Sequence, residues 1–193
     1  MTEDEVLAEF RACDALLSGH FLLSSGRHSA NYLQCARLLM NPERAGRIAF
    51  AMVHAMPREL RARIDKVVSP AMGGIIIGHE VGRELGRDAL FLERPTGTFE
   101  FRRGFSLEPG DQVLMVEDVV TTGLSSREAM AAVAAAGGEV IALASIVDRS
   151  GGEAAFDVPF YPLVALNFPT YGEGEVPADL AAMPVTKPGS RAA

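Results

Sequence analysis

The stretch from Val113 to Ser126 contains residue types that could hold a sugar phosphate. A buried apolar run leads into two adjacent acids, Glu117 and Asp118, and then into a hydroxyl-rich turn around Gly123. A glycine lets the backbone approach a ligand closely, and free amides at a helix start can surround a phosphate. The stretch therefore predicts a phosphate site made by a turn and the helix that follows it.

The two acids require a different ligand group, because carboxylates facing a phosphate would repel it. They are expected to face hydrogen-bond donors such as the vicinal hydroxyls of a ribose. Taken singly, each residue is better interpreted as a helix cap or a solvated strand end, and only the combination favours a site. The chain has neither G-x-x-x-x-G-K-[ST] nor G-x-G-x-x-G, which disfavours a nucleotide triphosphatase and a Rossmann dehydrogenase.

The elements that must position these residues alternate between strands and helices. The predicted strands are Lys66 to Ser69, Ala89 to Glu93, Gln112 to Glu117, Val140 to Val147 and Phe160 to Leu166, and the predicted helices between them are Ile75 to Leu85 and Ser126 to Ala136. Such alternation predicts an α/β fold with a parallel sheet and helices on both faces. Ligands of such sheets lie beyond the carboxyl ends of the strands.

The remaining parts of the predicted single domain, residues 1–193, frame this sheet. A T-x-x-E capping box at Thr2 predicts a helix that continues to Leu17, and Asn41-Pro42 predicts the start of a second helix that ends before Pro57. Between them we expect a hairpin of Phe21 to Leu23 and Asn31 to Cys35. Residues 94–111 are expected to form a mobile loop, and residues 167–193 are expected to form a tail over the surface.

Composition excludes several classes of partner. The formal charge of -7 leaves no general attraction for nucleic acid or an anionic membrane. The acidic N-terminus does not resemble a targeting signal, and no apolar run is long enough to span a bilayer, so a cytosolic location is expected. Cys13, Cys35 and the four histidines have no metal-ligand spacing, so no protein-bound metal is expected.

The pattern from Glu117-Asp118 through Thr121-Thr122-Gly123 resembles the phosphoribosylpyrophosphate (PRPP) signature of the type I phosphoribosyltransferases. Four more segments resemble the orotate-using members of that family. They are Gly19-His20-Phe21 with Ser25-Gly26-Arg27-His28-Ser29, Ser69-Pro70-Ala71-Met72-Gly73-Gly74, Val147-Asp148-Arg149-Ser150-Gly151-Gly152, and Lys187-Pro188-Gly189-Ser190-Arg191. The resemblance covers nearly the whole chain and implies the type I fold with a small N-terminal hood, residues 1–40.

The resemblance also implies roles for individual residues. The implied PRPP-binding residues are Glu117 and Asp118 for the ribose, Val119, Val120, Thr121, Thr122, Gly123, Leu124 and Ser125 for the 5-phosphate, and Gly73 and Gly74 near the pyrophosphate. The implied orotate-binding residues are Thr121, Arg149, Ser25, Gly26 and Tyr32. Alone, Arg149 would be an ordinary surface arginine and Tyr32 a hairpin core residue. Mg²⁺ is expected to arrive with the pyrophosphate of PRPP, and a homodimer is expected.

The chain departs from the family pattern in its loop. The lysines and histidine that usually close over pyrophosphate are absent, and lysine is also missing near Ser24 and Gly73. Arg94 matches the leading arginine of the family loop, and Arg102 and Arg103 are expected to supply the remaining charge. Together with Asp118 these arginines are the predicted catalytic residues; a solvated hairpin is the alternative.

Three functions remain open from the sequence. The favoured one is transfer of a phosphoribosyl group from PRPP to orotate. A salvage enzyme for a purine or uracil would share the phosphate turn, but the segments around Gly26 and Arg149 argue against it. A regulator that binds PRPP without catalysis is conceivable because the loop lysines are missing, although no basic stripe or DNA-binding helix supports it.

Overall fold

The computed structural model of the chain describes residues 1–23 and 25–187. In chain order, its elements are α1 (Glu3–Ala12), β1 (Leu16–Leu22), β2 (His28–Leu33), α2 (Cys35–Leu39), α3 (Pro42–Ala55), α4 (Arg58–Arg63), β3 (Lys66–Pro70), α5 (Gly74–Leu85), β4 (Asp88–Glu93), β5 (Glu100–Phe101), β6 (Gln112–Val120), α6 (Leu124–Ala135), β7 (Glu139–Asp148), β8 (Phe160–Ala165), β9 (Thr170–Tyr171), α7 (Ala178–Ala181) and β10 (Val185–Thr186). None of the helices in these residues combines the length and the apolar character required to cross a membrane.

The larger sheet has the strand order β5-β4-β3-β6-β7-β8, and all neighbours are parallel except β5 and β4. Its central strand β6 is apolar on both faces because it is covered on both. Leu114 and Val116 pack in the cluster that contains residues of α3 and α5, whereas Val113 and Met115 pack with residues of α6. The predicted parallel sheet with helices on both faces is therefore confirmed.

This topology determines where ligands can bind. Because β3, β4, β6 and β7 run parallel, their carboxyl ends meet at one edge of the sheet. The segments that leave this edge start at residues 71, 94, 121 and 149. They include the glycine pair, the arginine loop, the hydroxyl-rich turn and Arg149, so the fold brings separate parts of the sequence together.

A second sheet, which we call the hood sheet, has the strand order β10-β1-β2-β9. Its centre is the predicted hairpin, β1 and β2, which is confirmed with shifted bounds. Both edges come from the C-terminal segment, since Val185 pairs with His20 and Thr170 pairs with Ser29. Residues 170–186 lie mostly at the surface, where a tail was expected, but they also add two short strands to the hood sheet. Lys187 lies at the limit of the described residues, and the rest of the orotate-like closing segment lies outside them.

The first helix is shorter than predicted. It ends at Ala12, because Asp14 adopts a left-handed conformation (φ 50°) and the Ala15 amide donates to the Phe10 carbonyl at 2.8 Å. Leu17, which continues the helical spacing in the sequence, lies in β1 instead. Val6 and Phe10 are fully buried in the main core, and α1 contacts β8, the edge strand of the large sheet.

The segment 94–111 contains no helix, as predicted, but it is not without regular structure. Residues Glu100 and Phe101 form β5, which pairs antiparallel with the end of β4. Phe99 and Leu107 are buried in the cluster beneath α6. Two apolar side chains therefore attach this segment to the core on either side of Arg102 and Arg103.

Candidate active site

The hydroxyl-rich turn joins β6 to α6 with a conformation that requires glycine. Gly123 has φ 73°, and a Cβ on it would lie 2.8 Å from Nη1 of Arg127 and 2.9 Å from Cζ of Phe156. Within the described part of the chain, the amides of residues 121–123 and of Ser125 have no hydrogen-bond partner. Unpaired amides at a helix N-terminus can bind an anion, so the predicted phosphate site has suitable geometry.

Arg127, which the sequence analysis did not single out, stabilises this turn. Its Nη2 donates to the Thr122 carbonyl at 3.0 Å, and its Nη1 donates to the Ala155 carbonyl at 3.4 Å. The guanidinium also lies over the ring of Phe156. An arginine one turn into a helix carries no sequence signal for this role, because two of its partners, Ala155 and Phe156, come from a distant loop.

The two acids occupy different environments. Glu117 is buried and accepts a hydrogen bond from Ser126 Oγ at 3.5 Å, whereas Asp118 is half-buried and accepts from the Val119 amide at 2.9 Å. Burial raises the pKa of Glu117 well above its usual value, and the charge of Asp118 raises it further. Burial likewise raises the pKa of Asp118. Both carboxyls are poorly solvated, which favours interaction with ligand hydroxyls.

The glycine pair after β3 lies directly against these acids. A Cβ on Gly73 would lie 2.5 Å from Oδ2 of Asp118, and a Cβ on Gly74 would lie 3.0 Å from the Val116 carbonyl. A side chain at position 73 would therefore displace the Asp118 carboxylate.

Arg149 leaves the end of β7 beside the phosphate turn. Its amide donates to the Val120 carbonyl at 2.8 Å, and its side chain is half-buried. Burial lowers its pKa, and its Nε is buried without a partner. Within the described residues no carboxylate pairs with it. A desolvated cation without a counter-charge is suited to binding an anionic ligand.

The hood contributes Tyr32 to the same place. Burial raises the pKa of the Tyr32 hydroxyl, the charge of Asp118 raises it further, and the charge of Arg149 lowers it. Tyr32 therefore lies within electrostatic range of both Asp118 and Arg149. Ser25 and Gly26 form the hairpin turn, in which Gly26 has φ 77° and donates to the Leu23 carbonyl at 2.9 Å.

The loop arginines have partners of their own. Arg94 pairs with Glu128 of α6, and its guanidinium lies 4.0 Å from the ring centroid of Phe99. The charge of Arg94 lowers the pKa of Glu117, so this arginine lies near the acids. Arg103 donates to both oxygens of Glu93, at 2.7 and 3.2 Å.

Arg102 also faces Glu93, at 3.7 Å. The structure therefore places Arg102 and Arg103 on a carboxylate at the loop base. Their catalytic role stays a prediction. Glu93 and Glu128 are partners that sequence reasoning missed, although Glu93 precedes Arg94 directly.

In the described residues, no group of three or more His, Cys, Asp or Glu side chains is arranged to hold a metal ion. Glu117 and Asp118 lie at the end of β6, directly before the phosphate turn, and their surroundings differ as described above. This donor set fits a hard cation that is carried by the phosphate oxygens of a ligand, with few protein ligands.

Glu117→Gln is expected to stabilise the protein as the pH rises. The folded state binds a proton at Glu117 more tightly than the unfolded state does, so the parent loses stability as the pH increases above the usual pKa of a glutamate. Glutamine keeps the acceptor for Ser126 and removes this loss. The variant is therefore expected to be more stable than the parent at pH 8, and the difference should be larger at pH 8 than at pH 5.

Urea unfolding of parent and variant at pH 5 and pH 8 measures this difference. Glu139→Gln is the matched control, because Glu139 is exposed at the start of β7. This variant should give no pH-dependent gain in the free energy of unfolding. A Glu117→Gln variant that is equally or less stable than the parent at pH 8 would show that burial does not disfavour the charged carboxylate.

Comparison with known proteins agrees with this geometry. The family model described as "Phosphoribosyl transferase domain" matches residues 36–173. The orotate phosphoribosyltransferase of Erythrobacter litoralis is 71% identical over 192 residues, with 100% of each chain covered, and that of Novosphingobium aromaticivorans is 69% identical, with 100% of this chain and 99% of the relative covered.

A solved structure agrees as well. The crystal structure of Mycobacterium tuberculosis orotate phosphoribosyltransferase in complex with inorganic phosphate matches with a TM-score of 0.66 at 28% identity, covering 85% of this chain and 95% of that one. The type I phosphoribosyltransferase fold expected from the sequence is thereby confirmed. The family-model match, the identity along the full length of the chain and the shared fold all agree, and the chain belongs to the orotate phosphoribosyltransferase family.

Proposed function

We propose that the protein transfers the phosphoribosyl group of PRPP to orotate, giving orotidine 5-monophosphate and pyrophosphate in pyrimidine biosynthesis. Membership of the family supports this activity. The structural observation that carries the assignment of orotate is the half-buried, unneutralised guanidinium of Arg149 beside the phosphate turn. Its fork of donors suits a planar carboxylate, which orotate has and which uracil, adenine and hypoxanthine lack.

The donor fits the groups around β6. Its 5-phosphate is proposed to bind the amides and hydroxyls of residues 119–125, and its ribose hydroxyls are proposed to bind Glu117 and Asp118. Gly73 and Gly74 border the pyrophosphate, because the loop that contains them lies against Asp118. Orotate is proposed to lie between Arg149, Thr121, Tyr32 and the turn of Ser25 and Gly26. Electrostatic coupling among Tyr32, Arg149 and Asp118 supports this placement.

In the reaction, a ring nitrogen of orotate supplies the electron pair for a new bond to the anomeric carbon and releases its proton to water. The bond from that carbon to pyrophosphate oxygen breaks, the pyrophosphate leaves with its electrons, and the configuration inverts. Charge separates as the ribose gains oxocarbenium character, so the site must hold the reactants in line and stabilise the leaving group. No covalent nucleophile is required.

Closure of residues 94–111 is proposed to bring cations to the departing pyrophosphate. Arg94 is already near the acids, and Arg102 and Arg103 would exchange Glu93 for phosphate oxygens. Mg²⁺ is expected to enter as part of the substrate, where it neutralises pyrophosphate charge. A homodimer is proposed from the resemblance, and exposed Met72 and Ile76 beside the site support an interface there. A cytosolic location remains a prediction.

One assay tests the reaction class. The protein is mixed with PRPP and Mg²⁺ together with orotate, uracil, adenine or hypoxanthine, and pyrophosphate release is measured. Release with orotate alone is expected. Release only with another base would identify a salvage transferase, and PRPP binding without release would identify a regulator; either result would refute the proposal.

A further inference from the structure

A short strip of the C-terminal segment, residues 168–170, contacts both halves of the proposed orotate site. On one side, the ring of Phe168 lies 5.7 Å from Cζ of Arg149. On the other side, Arg27 Nε donates to Thr170 Oγ1 at 2.9 Å and Arg27 Nη2 donates to the Thr170 carbonyl at 2.7 Å. Since Arg27 directly follows the turn of Ser25 and Gly26, the strip joins that turn to Arg149.

The Arg149 guanidinium needs such a contact because it has no carboxylate to hold it. An aromatic face attracts a guanidinium without neutralising its charge or occupying its donors. Phe168 is half-buried and packs against the main core, which fixes the position of its ring. The arrangement restricts Arg149 while leaving its charge available to an anionic ligand.

Hydrogen bonds also attach the strip to the hood sheet. Besides the two Arg27 bonds, Ser29 Oγ donates to the Pro169 carbonyl at 3.3 Å, and Ser29 pairs with Thr170 in the sheet. Movement of the strip would therefore shift the hairpin turn and Arg149 relative to each other. The distance between these two groups determines which acceptor can contact both.

We propose that Phe168 and Arg27 are positioning residues that set acceptor specificity, with Phe168 orienting Arg149 toward the acceptor carboxylate and Arg27 fixing the hairpin turn through Thr170. This inference rests on the proposed function. It assigns to the C-terminal strip a role in recognition of the acceptor, while binding of the donor depends on other elements.

The test compares Phe168→Leu, Phe168→Tyr and Arg27→Lys with the parent in steady-state kinetics. Phe168→Leu removes the aromatic face, so the KM for orotate is expected to rise about five- to thirtyfold with little change in the KM for PRPP. Phe168→Tyr keeps the face and should restore the parental KM. Arg27→Lys keeps the charge but loses the two-point contact with Thr170, so it should also raise the orotate KM selectively.

Phe50→Leu is the matched control, since it removes an exposed ring that stacks on His54 of α3. It should leave both KM values unchanged. Equal rises of both KM values in Phe168→Leu, or an unchanged orotate KM in Phe168→Leu and Arg27→Lys, would overturn the inference while leaving the proposed function intact. A parent that releases no pyrophosphate with orotate would refute the proposed function and this inference with it.

Discussion

Asp118→Asn is expected to raise the KM for PRPP by about 10- to 100-fold, the effect of losing a charge-assisted hydrogen bond. Asparagine matches the shape of aspartate, so the close packing against Gly73 is kept. The substitution removes the negative charge of the carboxylate and one of its two acceptor oxygens, since an amide nitrogen cannot accept a hydrogen bond from a ribose hydroxyl. The change should therefore affect binding of the donor rather than the fold.

Steady-state kinetics with varied PRPP measure this effect, and thermal unfolding verifies that the variant is folded. Asp88→Asn is the matched control, because it removes a carboxylate from a surface ion pair with Lys66 at the opposite edge of the sheet. The control should retain parental kinetics. A PRPP affinity and rate equal to the parent's in Asp118→Asn would contradict the ribose assignment.

The double substitution Arg102→Ala with Arg103→Ala is expected to lower turnover by about 100-fold or more with little change in the KM for orotate. The two arginines are proposed to stabilise charge on the departing pyrophosphate, which is greatest in the transition state. Both side chains are at least half exposed, so their loss should hardly affect the free energy of unfolding.

Glu93→Gln distinguishes this role from the alternative of a solvated hairpin. If the arginines serve only to pair with Glu93, removal of the carboxylate should lower turnover as the double alanine variant does. If they act on pyrophosphate, Glu93→Gln frees Arg103 and leaves Arg102 only a contact with Glu100, at 3.8 Å, so turnover should stay at or above the parental rate. Unchanged turnover in the double variant would remove both arginines from the mechanism.

The strands and helices around the site could be predicted because their causes are local. The run Val113 to Val116 is apolar on both faces, and this pattern occurs in strands that are covered on both sides. The turn after Val120 is specified by Gly123 and the hydroxyls beside it. Residues with strong local patterns therefore sufficed to predict the parallel sheet and the glycine-containing turn between β6 and α6.

The hood and the loop could not be predicted in full because their partners lie far away in the sequence. Strands β9 and β10 have two residues each, too few for a periodicity, and they are extended because β2 and β1 pair with them. Leu17 continues the helical spacing of α1 in the sequence. The left-handed Asp14 ends the helix before it, and Leu17 instead pairs with Tyr32 of β2. Tertiary contacts decided these elements.

Some contacts of the candidate site could not be predicted either, because they join residues that are far apart in the sequence or have no characteristic spacing. Phe168 lies over Arg149 and Glu93 binds Arg103, but neither pair has a characteristic spacing. The sequence placed the charged groups of the site, whereas their counter-charges and supporting rings depend on the fold.

A crystal structure of the protein with PRPP and Mg²⁺ would test the central claim most directly. The account predicts that the 5-phosphate lies within hydrogen-bond distance of the amides of residues 121–125, and that the ribose hydroxyls contact Glu117 and Asp118. A donor bound elsewhere, with this turn free of phosphate, would contradict it.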